Sequence, residues 1–424
     1  MTLLTSQVKQ RLFGNRKNAR LIGVSLAVGV FLGHGFAYAE SFSAEDVIRL
    51  VQAQNPDAAA AREAVALAEA EAVAVDLYPN PQVGWDREGF PGNSGESEDS
   101  LLLTVPVDLS PRRSTRSHLV RAKVATANAH AARTGSAAVV KGLMLFYDLI
   151  GEQQRAEIQN RVLDRLKQAA EVMMKRREAG TVSGYEQARV EVETELAAST
   201  LRYTRARADR LHKELALILG VDASGATFSG DLGGDSGLVL EPSAGEAAEA
   251  ASRPSLDLLR RAASESSHAR NSASGIWIPD LAISAGPRLR VAGETRYGYV
   301  VGLAVDLPVF SRGQGLRAES DASRRAAQAR VVSAERAAHI ETLRAEHRLG
   351  AARKEARQFH EAIRDRIERL EKAAESGYRE GQRSIVELLD ARRARTTVEY
   401  RRLELALSVK RAEVALRAAR GDFE

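Results

Sequence analysis

Several residue types are missing or scarce in this chain of 424 residues. It contains no cysteine, which excludes disulfides, thiolate metal sites and lipid attachment through an N-terminal cysteine. Phenylalanine, tryptophan and tyrosine together make up only 5% of the residues, whereas alanine is abundant. This composition favours long helices that pack through small side chains over a thick globular core.

Acidic residues are absent from the first 39 positions, which carry five of the 61 basic residues. The remaining 56 basic residues equal the 56 acidic ones, so the net charge of +5 belongs to this segment and predicts no nucleic-acid partner. A basic start, the apolar run Leu21–Phe36 and the small residues of Ala37-Tyr38-Ala39 are typical of a signal peptide cleaved before Glu40. An uncleaved membrane anchor is the alternative, although His34 and several glycines interrupt the apolar run.

Long apolar runs and clusters of catalytic residues are missing from the rest of the chain. No second run of about 18 apolar residues occurs, so the sequence predicts no transmembrane helix after residue 39. The eight histidines have no spacing that places two of them on one face with carboxylates. Met173-Met174 is better explained by packing than by copper binding. Gly230–Gly237 is interpreted as a linker because no strand-loop-helix pattern of a phosphate site follows it. We therefore expect no catalytic residue, no cofactor and no metal site.

The chain consists of two similar halves about 200 residues apart. The matching positions are Pro56 and Pro254, Pro79 and Pro279, Pro106 and Pro308, and Gly180 and Gly381. A nearly constant separation indicates an internal repeat. The predicted organisation is a signal peptide over 1–39, a first repeat over 40–219, a linker over 220–245 and a second repeat over 246–424.

Each half contains two stretches in which apolar residues alternate with small or polar ones, the pattern of a strand with two different faces. The predicted strands are Gln82–Gly89, Leu101–Leu109, Trp277–Val291 and Tyr297–Val309, with a loop over Phe90–Ser100. Strands of about 10 residues are long enough to cross a bilayer. Four strands cannot close a pore, and open sheet edges leave backbone groups unpaired in lipid. Three chains giving 12 strands are the simplest solution, and a periplasmic sheet that caps a helical bundle is the alternative.

Helical patterns fill the rest of each half. In the first half they cover Ser41–Leu77, with a break at Asn55-Pro56, then Arg112 to about Glu178, and Tyr185–Leu219; in the second they cover Glu246–Ser274, Arg317–Ser376 and Ser384–Arg420. Ser43 is a candidate N-cap because Asp46 follows three residues later. At 1.5 Å per residue the long helix reaches on the order of 100 Å. Each long helix is expected to lie antiparallel to two shorter ones, so the fold class is mainly α with a transmembrane β-barrel contribution.

The order of these features resembles the TolC-like outer-membrane efflux family. The segments that carry the resemblance are Tyr78–Pro81 (YPNP), Ala179–Glu191 (AGTVSGYEQARVE), Val305–Gly315 (VDLPVFSRGQG) and Gly377–Arg393 (GYREGQRSIVELLDARR). The last two are similar to segments of the heavy-metal, CzcC-like branch. The chain departs from that branch at Ser110-Pro111, where Gly-Gly is usual, at Gly313, where Asn is usual, and in lacking a cysteine for lipidation.

The resemblance implies a homotrimer with a 12-stranded barrel in the outer membrane and a long α-helical coiled-coil tunnel in the periplasm. It implies contacts with outer-membrane lipid, a periplasmic membrane-fusion adaptor and an inner-membrane RND pump, in a Gram-negative cell. The chain is then a passive conduit and not an enzyme, and its expected cargo is divalent heavy-metal cations. Multidrug efflux or type I secretion through the same channel is one alternative, and a periplasmic coiled-coil adaptor or scaffold is another.

Two turns between helices are the candidate functional residues, because in this family such tips meet the adaptor and control opening. The first tip comprises Gly180, Thr181, Val182 and Ser183, and the second comprises Gly381, Gln382, Arg383 and Ser384. The alternative is that they are plain turns of helical hairpins. Neighbouring charges either form salt links that hold a closed gate or remain solvated; they are Arg176, Arg177, Glu178, Arg379 and Glu380.

Overall fold

The computed structural model describes residues 40–89, 96–233 and 253–424. In these ranges the elements are β1 (Glu40–Phe42), α1 (Ala44–Gln54), α2 (Pro56–Asp76), β2 (Gln82–Gly89), β3 (Ser97–Val107), α3 (Arg112–Glu178), α4 (Gly184–Leu219), β4 (Ala226–Phe228), α5 (Pro254–Ser272), β5 (Leu281–Ala292), β6 (Glu294–Val305), α6 (Gln314–Arg379) and α7 (Ile385–Arg420). The predicted signal peptide, residues 90–95 of the predicted loop and residues 246–252 of a predicted helix lie outside the described residues. The mainly helical class is confirmed, and each half contributes two strands to one four-stranded sheet.

The predicted first helix is two helices, because Asn55 ends one and begins the next. Its backbone is extended, and its side-chain oxygen accepts hydrogen bonds from the N–H groups of Asp57 (3.0 Å) and Ala58 (3.2 Å). Pro56 occupies the first helical position, where its missing N–H costs nothing. Ser43 caps α1 as predicted, in a reciprocal capping box with Asp46.

The predicted linker contains a strand, and Ser41 belongs to a strand and not to the first helix. β1 pairs in parallel with β4, so that Phe42 faces Phe228 with ring centroids 5.7 Å apart. The Ser41 and Ser229 hydroxyls lie 2.7 Å apart. Both phenylalanines are buried in the largest hydrophobic cluster, which also contains residues of α1, α3, α4 and α7.

Four strands form one antiparallel sheet in the order β2-β3-β5-β6. β2 has the predicted bounds, whereas β3 begins at Ser97, within the predicted loop, because Ser97–Ser100 pair with both β2 and β5. β5 begins four residues later than predicted, since Pro279 offers no N–H for a ladder. β6 is displaced toward the N-terminus and ends at Val305, where the N–H of Asp306 donates to the Asp280 carbonyl.

The two long helices, α3 and α6, have 67 and 66 residues, which corresponds to roughly 100 Å each. α3 packs against α1 and α2 along one part and against α4 along another, and α6 packs against α5 and α7. The expected arrangement of one long helix beside two shorter ones is present in both halves. α3 also packs against α5 and α7, which joins the halves.

Candidate functional site

The two faces of the sheet differ in chemistry along a common register. One row of facing residues on the first face is apolar and consists of Val83, Leu103, Ala285 and Val301. The adjacent row belongs to the opposite face and carries small or polar residues, namely Gln82, Thr104, Ser284 and Gly302. Bulky side chains of the first face are open to the surroundings in a single chain, among them Tyr297 (87% exposed) and Leu303 (68%). Large exposed apolar surfaces of this kind mark a contact with lipid or with another protein.

The opposite face carries a layer of charge near the hairpin ends. Glu98 is only 7% exposed and forms ion pairs with Arg288 and with Arg290, whose Nε lies 3.3 Å from its Oε1. Glu88 faces Glu98 directly on the neighbouring strand. Like charges in facing positions destabilise a sheet, and the two arginines offset that repulsion.

The first predicted tip is an exposed turn closed by backbone hydrogen bonds. Gly180 adopts φ +71°, a conformation that glycine tolerates, and no atom lies within 4 Å of the position a Cβ would take. Thr181 donates to the Arg176 carbonyl from both its N–H (2.9 Å) and its hydroxyl (2.8 Å). Ser183 then caps α4 in a capping box with Glu186. Val182 is the exception to the exposure, because it packs on the apolar cluster beneath the tip.

The second predicted tip repeats this geometry. Gly381 adopts φ +74° with open space around it, and the N–H groups of Gln382 and Arg383 donate to the Gly377 carbonyl at 2.8 and 3.0 Å. Ser384 caps α7 in a capping box with Glu387. Equivalent turns in the two halves therefore use the same sequence signal, a left-handed glycine followed three residues later by a capping serine.

The structure brings the two tips to the same end of the helices, where α3 and α6 contact each other just before the turns. Arg176 of α3 donates a hydrogen bond of 3.1 Å to the Tyr378 hydroxyl of α6, with its guanidinium 5.5 Å from the ring centroid. The apolar cluster beneath both tips draws on α3, α4, α6 and α7 and includes Met173 and Ile385. Of the charged neighbours considered from the sequence, Arg379 pairs with Glu375 of its own helix at 2.6 Å. Among the described residues, the helices that end in the two tips are thus joined by an arginine–tyrosine contact and by this apolar cluster.

Farther from the tips along the same four helices, charged side chains join the two hairpins along a seam. Glu193 of α4 accepts two hydrogen bonds from Arg393 of α7, and Arg395 pairs with Glu371 and Glu399. A cavity of about 350 Å³ opens at this seam, between α3, α4, α6 and α7.

Burial raises the pKa of Tyr400 to about 12, against the opposing effect of the nearby Arg155 guanidinium. The phenol therefore stays neutral at any physiological pH.

Comparison with known proteins connects this architecture to outer-membrane channels. The model of the outer membrane efflux protein family matches residues 245–422. Among solved structures, CusC has a TM-score of 0.70 at 17% identity, over 89% of this chain and 92% of that one. This chain has the outer-membrane channel fold. The CmeC channel of Campylobacter jejuni (TM-score 0.67, 15% identity, 89% and 85% coverage) and VceC of Vibrio cholerae (0.66, 15%, 89% and 96%) share it. No curated protein matches the chain in sequence.

Within this outer-membrane channel fold, one pair of neighbouring histidines was not predicted from the sequence. The rings of His118 in α3 and His268 in α5 stack with centroids 5.4 Å apart, and the His118 Nδ1 lies 2.7 Å from Glu265 Oε2. The pair is separated by 150 positions, so local spacing gave no signal. Among the described residues, no group of three or more histidines and carboxylates is arranged to hold a metal ion.

None of the helices in the described ranges is both long and apolar enough to cross a membrane. Met173 lies buried in the cluster beneath the tips, as its interpretation as a packing residue predicts, whereas Met174 is exposed. The two methionines therefore do not point into a common site.

Proposed function

We propose that the protein is the outer-membrane channel subunit of a tripartite efflux system of the RND type. The observation that carries this proposal is the four-stranded sheet with a bulky, exposed apolar face, joined to long helical hairpins whose tips lie at the same end. Three such sheets supply the 12 strands of a closed barrel, with the apolar face toward lipid. The helices of three chains then enclose a periplasmic tunnel, and the protein acts as a conduit without catalysing a reaction.

The internal repeat and the signal peptide complete this proposal. A mature chain that begins near Glu40 comprises two repeats, 40–219 and 246–424, joined by the segment 220–245. Each repeat supplies one hairpin to the barrel and one helical tip. Secretion across the inner membrane followed by assembly in the outer membrane agrees with the sequence of residues 1–39.

The two tips are the proposed docking and gating residues for a periplasmic membrane-fusion adaptor. They comprise Gly180, Thr181, Val182 and Ser183, and Gly381, Gln382, Arg383 and Ser384. Support comes from their common position, the exposure of all of them but Val182, and the Arg176–Tyr378 contact between the helices that lead into them. Replacing Gly180 and Gly381 with leucine is expected to abolish efflux while the trimer level stays unchanged. Full efflux by this double variant would show that the tips are plain turns.

Divalent heavy-metal cations are the proposed cargo, and the support is the likeness of Val305–Gly315 and Gly377–Arg393 to the heavy-metal branch. The test is growth of a deletion strain, with and without the restored gene, on zinc, cobalt, cadmium, copper and a set of hydrophobic drugs. Sensitivity to metals alone is the expected result. Sensitivity to drugs alone would replace the metal assignment with multidrug efflux. Recovery of the protein in the soluble periplasmic fraction would instead favour a scaffold.

A further inference from the structure

Among the residues that the structure describes, each of the two outer strands of the four-stranded sheet has one partner strand. β2 pairs with β3 and β6 pairs with β5, so each leaves a row of backbone N–H and C=O groups on its other side. In a bilayer these groups must be paired, because no water is available to satisfy them. If the proposed function is correct, the free edge of β6 pairs with the free edge of β2 in the next chain.

The internal repeat determines how those edges align. Val83 faces Leu103 in the first hairpin, and Ile283 faces Leu303 in the second, so a shift of 200 positions converts one register into the other. The prolines that precede β2 and β5 have the same separation. The two hairpins are therefore equivalent, residue by residue, under this shift.

The β3–β5 contact, which joins the first repeat to the second, serves as the template for the contact between chains. In it, Thr104 faces Ser284. Applying the shift to both strands, we infer that Ala304 of one chain faces Gly84 of the partner subunit. The same operation pairs Val305 with Val83, Leu303 with Trp85, and Val300 with Glu88 of the partner subunit.

The geometry of a closed barrel gives an independent check of this register. Within one chain, the row of facing residues that starts at Gln82 ends at Gly302 on β6, so Val300 lies level with Gly84 two positions along. A level continuation would place Val300 opposite the next Gly84, and the strands would then run parallel to the barrel axis. The inferred pairing offsets the row by four positions per chain, or about 12 around the barrel, which gives a strand tilt of roughly 35°. Closed barrels have tilts of about 35–45°.

Charge alone favours the competing arrangement, in which Val300 faces Gly84 of the partner subunit. That arrangement would place Arg296 of β6 opposite Glu88 of the partner subunit, since both lie on the row that contains Glu98 and Arg290. Arg296 is exposed and its nearest carboxylate in the described ranges, Glu294, is 3.8 Å away. An exposed ion pair contributes little, whereas an untilted sheet cannot close. Closure therefore outweighs the charge pairing and selects the offset register.

Cysteine cross-linking distinguishes the two registers without background, because the chain has no cysteine of its own. The test pair is Gly84→Cys with Ala304→Cys, and the matched control pair is Gly84→Cys with Val300→Cys. No atom lies within 4 Å of the Cβ position at Gly84, so cysteine fits there. Residues four apart on a strand are separated by about 13 Å, and a disulfide needs Cα atoms within about 7 Å.

Each full-length variant is oxidised in outer-membrane fractions and examined by non-reducing denaturing electrophoresis, with native electrophoresis to measure trimer. The expected result is reducible dimers and trimers from the test pair, and at least tenfold less from the control pair. Cross-linking by the control pair, or by neither pair in a chain that is trimeric, would overturn the register. Absence of the trimer itself would overturn the proposed function, and the register with it.

Discussion

Arg253 is the buried charge whose removal tests how the second half of the chain is held together. Its side chain is 10% exposed and pairs with Glu341 at 2.9 Å. The same guanidinium donates to the carbonyl of Ala419, in the last turn of α7, and to that of Ala338 in α6 (3.2 Å). One residue before α5 thus ties together three helices, and it satisfies a carbonyl at a helix C-terminus, where positive charge is favourable.

The expected cost of Arg253→Met follows from these contacts. Hydrogen bonds that involve a charged group contribute about 1.5–3 kcal/mol each at most sites. Methionine retains the apolar stem, Thr342 still donates to the Ala419 carbonyl at 3.1 Å, and Glu341 is half exposed and regains water. Because of these compensations, we expect a loss of about 2–3 kcal/mol of unfolding free energy, below the roughly 3–5 kcal/mol for breaking an uncompensated buried ion pair.

The assay is urea unfolding of the detergent-purified protein, followed by circular dichroism of the helices. Arg260→Met is the matched control, because Arg260 lies on the same α5 and pairs with Asp257 and Glu335, but is 52% exposed. Exposed pairs are weak and screened by salt, so the control should unfold close to wild type. Equal midpoints for the two variants would refute the reasoning from burial.

Three further outcomes are expected. Leu303→Arg on the bulky face should destabilise the barrel by about 2–4 kcal/mol and lower the trimer level in membranes. Ala304→Arg on the opposite face should still assemble into trimers. Equal assembly of the two variants would contradict the lipid-facing assignment. Tyr378→Phe removes the 3.1 Å acceptor of the tip contact, so single-channel recordings should show more open time, and unchanged gating would separate this contact from opening. Ser183→Ala and Ser384→Ala should each cost about 1 kcal/mol by loss of a cap, measured by thermal melting, and no shift in either would exclude a capping role.

The parts of the fold that were predictable from the sequence are those with strong local signals. Alternation marked all four strands of the sheet, and the bounds of β2 and α3 agree with the prediction. The serine caps of α1, α4 and α7 have an acidic residue three positions later, which is a signal that local hydrogen bonding explains. The repeat then placed the equivalent tips in both halves.

The missed features depend on partners far away in the sequence. β1 and β4 have three residues each and are strands only because they pair with each other across the whole first half. The ends of β5 and β6 follow from Pro279 and from the hydrogen bond to the Asp280 carbonyl, which alternation does not report. Similarly, the His118–His268 stack and the contacts of Arg253 require the packing of α5 on α3 and α6.

The measurement that tests the central claim most directly is the conductance of the purified protein in a planar lipid bilayer. If three chains close a barrel around a lumen, the outer-membrane trimer should produce discrete, uniform conductance steps. A protein recovered as a soluble periplasmic monomer, or a trimer that gives no steps when its tips are opened, would contradict the account.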